Sequence, residues 1–400
     1  MEEKFVALKG SIDILKGHQF WPGQGETPNT FSFRFRYYLV LLLSVPFWLG
    51  VLLHLIVVLK DGLDVDLSGD ISVLSSLFGL HFMIITFVWD LEKTSSLFRY
   101  LSHFEEFSKP DNFDERCRRL DLYSNLYSKY CIVGMTTYFI IKQLEVPDCE
   151  RINREKGLKE MCGFFISMWI PFNTEIFPTK WILLALQTFG IFSIIKGGAS
   201  VTFTAFEVAE YIVLKIKHLK RLSSEAFDDP REEVMRARVN HCVKYHHHII
   251  SICELFNSRY KNSNGCYVLM VGIIIAGLAN QYMKEKNIGV LLHLGGWMLS
   301  FFLSCHAGQS LLSQSLEVAD AVLASRWYQA PVDLQKDLVL VMVRAQQPLS
   351  LHAMPIGIMS YDLFVAVSTE EYSPESEPRF TLLQMLKTSY SYFTLLNKST

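Results

Sequence analysis

Four polar residues near the end of the chain, Gln384, Thr388, Ser391 and Lys398, are spaced by four, three and seven positions within FTLLQMLKTSYSYFTLLNKST (380–400). On a helix this spacing gathers them on one face, while Leu382, Leu383, Met385, Leu386, Tyr390, Phe393 and Leu396 cover the remainder. A narrow polar stripe on an apolar helix supports the passage of ions or water past a span that otherwise faces lipid and protein. The same hydroxyls would also suit a bundle helix bonded to its neighbours. Periodicity alone leaves both readings open.

His241, Cys242 and the run His246–His248 look like metal ligands, and Cys242 and His246 stand at i, i+4 on one helical face. No acidic residue or second cysteine accompanies them nearby, so a solvated or interface helix face is expected, with no metal and no cofactor. The eight cysteines form no CxxC pair and no zinc-finger spacing. Cys149 and Cys162 share one loop and could be bridged or free. There is no nucleotide loop, nucleophile elbow, HExxH motif or catalytic carboxylate pair, which leaves an enzyme without support. The formal net charge of −2 offers nothing to nucleic acid.

The elements that must position these residues are membrane spans. The chain is 50% hydrophobic and 20% charged, and its apolar residues are gathered into long runs. Six runs precede the tail, at about 35–59, 71–89, 123–141, 181–206, 266–282 and 288–316, each long enough for a hydrocarbon layer of ~30 Å. The tail is the seventh. The start of the chain lacks the pattern of a removable signal peptide, so the first span is expected to direct insertion. Lys and Arg crowd segments 1–36, 91–121, 215–263 and 317–344 and are sparse in 60–70, 147–177 and 284–287, 24 against 7. That asymmetry places the N-terminus in the cytoplasm and the C-terminus outside, the reverse of a G-protein-coupled receptor. The fourth and sixth runs continue into amphipathic stretches, 207–222 and 317–327. PVDLQKDLVLVMVRAQ (331–346) reads as a short amphipathic helix with Leu334, Leu338, Met342 and Ala345 on one side. The fold expected is an all-α membrane protein of seven transmembrane helices. It divides into a cytoplasmic segment 1–34, a six-span region 35–316, a cytosolic helical region formed by 207–263 and 317–350, and a final span 380–400. Gly197-Gly198 is the one break of the kind transporters carry, and it has no counterpart elsewhere.

EVADAVLASRWY (317–328), Lys336, MVRAQQPL (342–349) and LKTSYSYFTLL (386–396), taken in this order, resemble the insect odorant receptors, and specifically an odorant-tuning subunit. Upstream of Glu317 the resemblance lies in span number, orientation and loop sizes only. Gustatory receptors share the architecture, but their seventh span typically carries a TY run ending in QF, whereas this chain ends in LLNKST. TEEYSPESEPR (369–379) departs from the family pattern by placing four Glu and two Pro ahead of the last span.

The resemblance implies a ligand-gated, non-selective cation channel in the plasma membrane of olfactory neuron dendrites. It also implies a tetramer with a shared co-receptor subunit around one pore, opened by a small volatile ligand. The tail would line that pore, with Leu395 at a hydrophobic gate and Ser391, Lys398 and Ser399 beside it. Four lysines at position 398 would repel cations, which argues against a good pore made from this chain alone. Asp320, Trp327, Tyr328 and Arg344 would belong to the cytosolic anchor, with Glu317 and Asp320 facing Lys336 and Arg344 as a polar lock or as ordinary surface pairs.

The ligand pocket would lie in the outer half of the second to sixth spans. Such a ligand offers few hydrogen bonds, so shape and aromatic contact must carry its affinity. Cys131, Gly134 and Tyr138, at i, i+3 and i+7, set a small residue beside an aromatic wall. Leu74 and Phe78 are the candidates from the second span, and Thr188, Phe189 and Phe192 those from the fourth. Ile274 stands in the fifth, with Trp297 and Phe301 in the sixth.

Overall fold

The computed structural model describes residues 6–60, 67–156, 161–166, 168–170 and 178–368, and these are almost entirely helical. In chain order the helices are α1 (Lys9–Gly17), α2 (Phe31–Lys60), α3 (Ser68–Trp89), α4 (Leu91–Ser102), α5 (Phe113–Leu144), α6 (Val146–Lys156), α7 (Thr179–Glu225), α8 (Glu232–Glu285), α9 (Ile288–Leu323), α10 (Val332–Ala345) and α11 (Tyr361–Ser368). A two-residue hairpin, β1 (His352–Ala353) with β2 (Gly357–Ile358), precedes α11. Ser391, Leu395, Lys398, Ser399 and the rest of the final span lie outside the described residues.

Among the described residues α2, α3, α7, α8 and α9 are long and apolar enough to cross a membrane. α5 is long enough too, but Asn125, Ser128 and Lys129 dilute its apolar run. The surface of α2 shows what lipid does to a sequence. Phe35, Leu42, Leu49 and Ile56 are exposed along it, and side chains of that kind need no protein partner when the solvent is hydrocarbon.

One continuous core joins the bundle from α1 to α11. Its closest helix approaches are made at glycines. A side chain at Gly197 would run into the Phe20 ring, and one at Gly198 into Leu80. α7 runs unbroken through both positions, so this Gly pair is a notch for the N-terminal segment and for α3 rather than a helix break. The segment expected as a cytoplasmic arm is therefore folded: Phe20 and Trp21 are buried, and Trp21 stacks on Phe98 of α4 at 5.5 Å. Arg259 of α8 clamps the C-terminal end of α3, donating to the Thr86 carbonyl at 3.0 Å and lying 3.4 Å from the Asp90 carboxylate.

The hairpin is wedged between α8 and α9. Asn257 donates to the Ser350 carbonyl (2.8 Å) and accepts from the His352 amide (2.9 Å), and the Met354 amide donates to the Lys261 carbonyl (2.9 Å). On the other side the Leu349 amide donates to Ser315 Oγ (2.9 Å). Backbone meets backbone here because Gly265 faces Met354 and Gly308 faces Met359 with no Cβ between them.

At the end of the bundle where α7 stops and α8 starts, α7, α8, α9 and α10 form a second cluster around Phe227, Met235, Leu334 and Leu338, with Trp327 packed against it. Tyr328 is exposed. The pairing expected of the acidic residues on α9 is not formed within this chain. Glu317 takes Lys220 of α7 at 2.5 Å, Asp320 is exposed, and Arg344 donates to the Gln347 carbonyl at 3.3 Å. The link from α10 is made by Asp333, which pairs with Arg236 of α8 at 2.8 Å because it occupies the first turn of α10, beside α8. The Arg236 guanidinium holds the Asp333 carboxyl below the usual carboxylate range.

The histidine run of α8 is explained by packing. Phe107 lies 5.5 Å from the His241 ring, 4.8 Å from Tyr245 and 5.0 Å from His248. No group of metal-ligating residues forms among the described residues. His246 turns to the other side, into the small gap shared by Leu219, Val239, Val318 and Leu338. Burial pushes it down to about 4, and the charges of Arg344 and His247 add to the effect. Below about pH 6.5 the unfolded histidine takes up a proton that the folded one refuses. Stability from this site is therefore complete above pH 6.5 and lost as pH falls toward 4. Melting curves of purified protein at pH 7.5 and pH 5 are expected to show a lower midpoint at pH 5, with a smaller difference in His246→Leu.

Cys149 and Cys162 are joined in a disulfide with their Cα atoms 5.7 Å apart, tying α6 to the segment before α7. The bridge closes a loop of sequence separation 13, for which chain entropy gives a stabilisation of about 3 kcal/mol. Cys149→Ser with Cys162→Ser is expected to lower the thermal midpoint of the protein, an effect that a reducing agent added to the unaltered protein should reproduce.

Candidate functional site

A cavity of about 120 Å³ lies between α3, α5, α7 and α9. α5 supplies its longest wall. Tyr127, Cys131, Gly134 and Tyr138 recur at four, three and four positions, one stripe along the helix, with Tyr130 and Met135 flanking it. α9 faces it with His293, Trp297 and Ser300, again one turn apart, and with Leu292 and Gly296. From α3 come Val73, Ser76, Leu77 and Leu80, and from α7 Ile191, Ile195, Ala199 and Thr202.

Phe165 and Ile166, from the segment after the disulfide, close the remaining side. Gln187, a fully buried amide, fixes that segment: its Oε1 accepts from the Phe165 amide (2.8 Å) and its Nε2 donates to the Ile166 carbonyl (3.4 Å). The Phe165 ring then meets Tyr138 at 5.2 Å and Phe192 at 6.2 Å. A segment of the connection between α6 and α7 thus becomes part of the wall.

The hydroxyls that border the space are largely committed. Ser76 donates to the Ser72 carbonyl (2.7 Å), Thr202 to the Gly198 carbonyl (3.0 Å) and Tyr130 to the Leu292 carbonyl (2.7 Å), while Ser300 accepts from Tyr267 (2.8 Å). The volume is comparable to apolar cavities that accept benzene. An arrangement of this kind suits one small, mostly apolar molecule held by shape and ring contact, and no metal-ligating group forms there among the described residues.

The residues singled out from sequence fall into three groups. Cys131, Gly134, Tyr138 and Trp297 line the cavity. Leu74 and Phe192 stand behind the lining, packed into the cluster formed by Val51, Leu77, Met135 and Phe165. Ile274 is buried behind Trp297, packed with Leu278 and Val290, and Phe301 is buried against Tyr267 and Phe364. Thr188 bonds back to the Leu184 carbonyl one turn earlier (2.8 Å). Phe78 and Phe189 point away from the bundle, Phe189 with 55% of its surface exposed. Among the described residues none of α8 lines the cavity. Tyr127, Tyr130, His293, Thr202 and the Phe165–Ile166 segment were not anticipated. Tyr127 and His293 each continue a recognised stripe by one turn toward its start, and FFISMW (164–169) is an apolar run inside a polar loop, so a signal was present for these three but not for Tyr130 or Thr202.

Comparison with known proteins agrees along most of the chain. The family model described as 7tm Odorant receptor matches residues 65–369. Odorant receptor 67c of Drosophila melanogaster is 23% identical over 304 residues, 72% of this chain and 69% of that receptor. The odorant receptor coreceptor of Ooceraea biroi is 25% identical over 142 residues, 34% of this chain and 30% of that protein. Among solved structures, the insect olfactory receptor OR5 from Machilis hrabei superposes with a TM-score of 0.74 at 17% identity, over 95% of this chain and 97% of that one. Its complex with eugenol gives a TM-score of 0.71 over 95% and 96%. These likenesses establish the fold, an all-α, multi-pass membrane bundle, and the family match from residue 65 to residue 369 makes this chain a member of the insect odorant receptors, a family of receptors rather than enzymes.

Proposed function

We propose that the chain is the odorant-binding subunit of a ligand-gated, non-selective cation channel of the plasma membrane, assembled as a tetramer with a shared co-receptor. The observation that carries this reading is the apolar cavity between α3, α5, α7 and α9, closed by a disulfide-tethered segment, in a member of this family. OR5, which shares the fold, was solved with eugenol, a single-ring volatile of the size such a cavity suits. Similarity to a coreceptor supports a partner of the same architecture.

The N-terminus lies in the cytoplasm and the tail, 380–400, ends outside, lining the pore with Ser391, Leu395, Lys398 and Ser399. Residues 207–263 and 317–350 form the cytosolic anchor, with Asp320, Trp327, Tyr328 and Arg344 at its edges. α10 supports that role. Its inner face, Leu334, Leu338 and Met342, is buried within the chain, yet Val339, Leu340 and Val343 on the other face are exposed, Leu340 at 68%. A cytosolic helix with both faces apolar calls for a second subunit. Ligand in the cavity favours an arrangement of the spans in which the gate widens.

Cells expressing this chain with a co-receptor should show odorant-evoked cation currents that are absent with either subunit alone. A C-terminal tag should be labelled on intact cells. A tag reached only after permeabilisation, with responses that need a cytosolic transducer, would refute the channel reading.

A further inference from the structure

His293 and Trp297 stand one turn apart on α9, and both line the cavity. The indole Nε1–H of Trp297 donates to His293 Nε2 at 3.0 Å. An indole nitrogen can only donate, so Nε2 must present its lone pair and the proton of the neutral imidazole sits on Nδ1. Among the described residues Nδ1 has no protein partner. The His293 ring also faces Tyr138 across the cavity, with centroids 6.4 Å apart.

Several other polar hydrogens around the space are already placed. Those of Ser76, Thr202 and Tyr130 point at backbone carbonyls. Tyr267 donates to Ser300. Nδ1–H is thus a donor at the cavity that has no protein acceptor among the described residues, and a donor so placed favours whichever ligand supplies one.

We propose that His293 is the specificity-determining residue of this cavity, that its Nδ1–H receives the carbonyl oxygen of a small ketone, aldehyde or ester, and that Trp297 is a positioning residue that fixes the tautomer. The proposal rests on the odorant-binding reading and deepens it by assigning the ligand class. A hydrocarbon of the same shape leaves Nδ1–H unpaired. An alcohol is a weaker match, because its own proton adds nothing that the site requires. Without the indole N–H the imidazole is free to place its proton on Nε2, which turns Nδ1 into an acceptor suited to a hydroxyl.

The test uses three probes of one shape: acetophenone, ethylbenzene and 1-phenylethanol. Binding is measured by equilibrium dialysis on the full-length chain in nanodiscs, alongside dose–response currents with the co-receptor. The unaltered chain should bind acetophenone at least about tenfold more tightly than ethylbenzene. His293→Phe, which keeps a flat ring, should bring that ratio near one while ethylbenzene binding stays within about threefold, showing that the cavity survives. His293→Asn, which restores an N–H close to the Nδ1 position, should recover most of the ratio. Trp297→Phe should shift preference from acetophenone toward 1-phenylethanol.

A ratio that persists in His293→Phe, an unaltered chain that prefers either other probe, or one that binds none of the three would overturn the assignment. Carbonyl-selective binding without odorant-evoked current would sink the channel reading and leave this one standing. Currents without carbonyl selectivity would do the reverse.

Discussion

Gly134→Phe is expected to abolish odorant-evoked current, a loss of 100-fold or more in sensitivity, while assembly and surface delivery stay intact. Gly134 sits mid-stripe on the cavity wall of α5, and a Cβ built there would have nothing within 4 Å. A side chain grown from this point therefore meets empty space rather than protein, so the substitution need not strain the fold. A phenyl ring would occupy most of a cavity of about 120 Å³ and take the place of the ligand. Gly134→Ala should cost little sensitivity, because a single methyl leaves most of the volume free. Currents evoked by an agonist acting on the co-receptor, recorded in the same cells, provide the internal control. A full odorant response in Gly134→Phe with normal surface labelling would mean that ligands bind elsewhere.

Gly308→Val is expected to produce a large loss of stability from a single side chain added at a backbone contact. A Cβ at position 308 would overlap the carbonyl of Met359, which is backbone and cannot swing aside. The same holds for Gly265 against Met354, so either substitution must push the hairpin out from between α8 and α9. Overpacking of this severity costs about 3 kcal/mol, the upper end of the usual range. Gly272→Ala is the matched control on α8: its new methyl would meet Val367 Cγ1 at an ordinary 3.7 Å, and removing a mid-helix glycine there should stabilise slightly. Melting curves in detergent are expected to order the variants Gly272→Ala, unaltered, Gly308→Val from highest midpoint to lowest. An unchanged midpoint for Gly308→Val would show that the hairpin is only loosely docked.

The sequence made the spans legible because lipid demands long uninterrupted apolar runs, and these survive without any knowledge of packing. α10 was readable for a related reason: its apolar residues fall on one side at helical spacing. What a uniformly apolar helix does not carry is phase. On α3 the residues expected at the pocket, Leu74 and Phe78, are one position away from the lining residues Val73 and Leu77, and one position is about 100° of rotation, enough to send Phe78 outward. On α5 the small residue between two aromatics supplied the missing phase, and Cys131, Gly134 and Tyr138 do share the cavity wall. On α7 the lining begins at Ile191, so Thr188 and Phe189 lie toward its N-terminal end and Phe192 packs behind. The wall formed by Phe165 and Ile166 depends on Gln187 reaching across about twenty residues of sequence, a contact that no local pattern encodes.

α8 runs without interruption for 54 residues, a rod roughly 80 Å long. Near one end Ile274 and Leu278 pack against Trp297, while near the other Val239 sits among the helices beyond the spans. Tilting such a boom by two degrees about its midpoint would swing each tip by about 1.4 Å in opposite senses. A small displacement of the packing around Trp297 is thereby geometrically tied to a displacement of the opposite sense among the helices at the far end of the same rod.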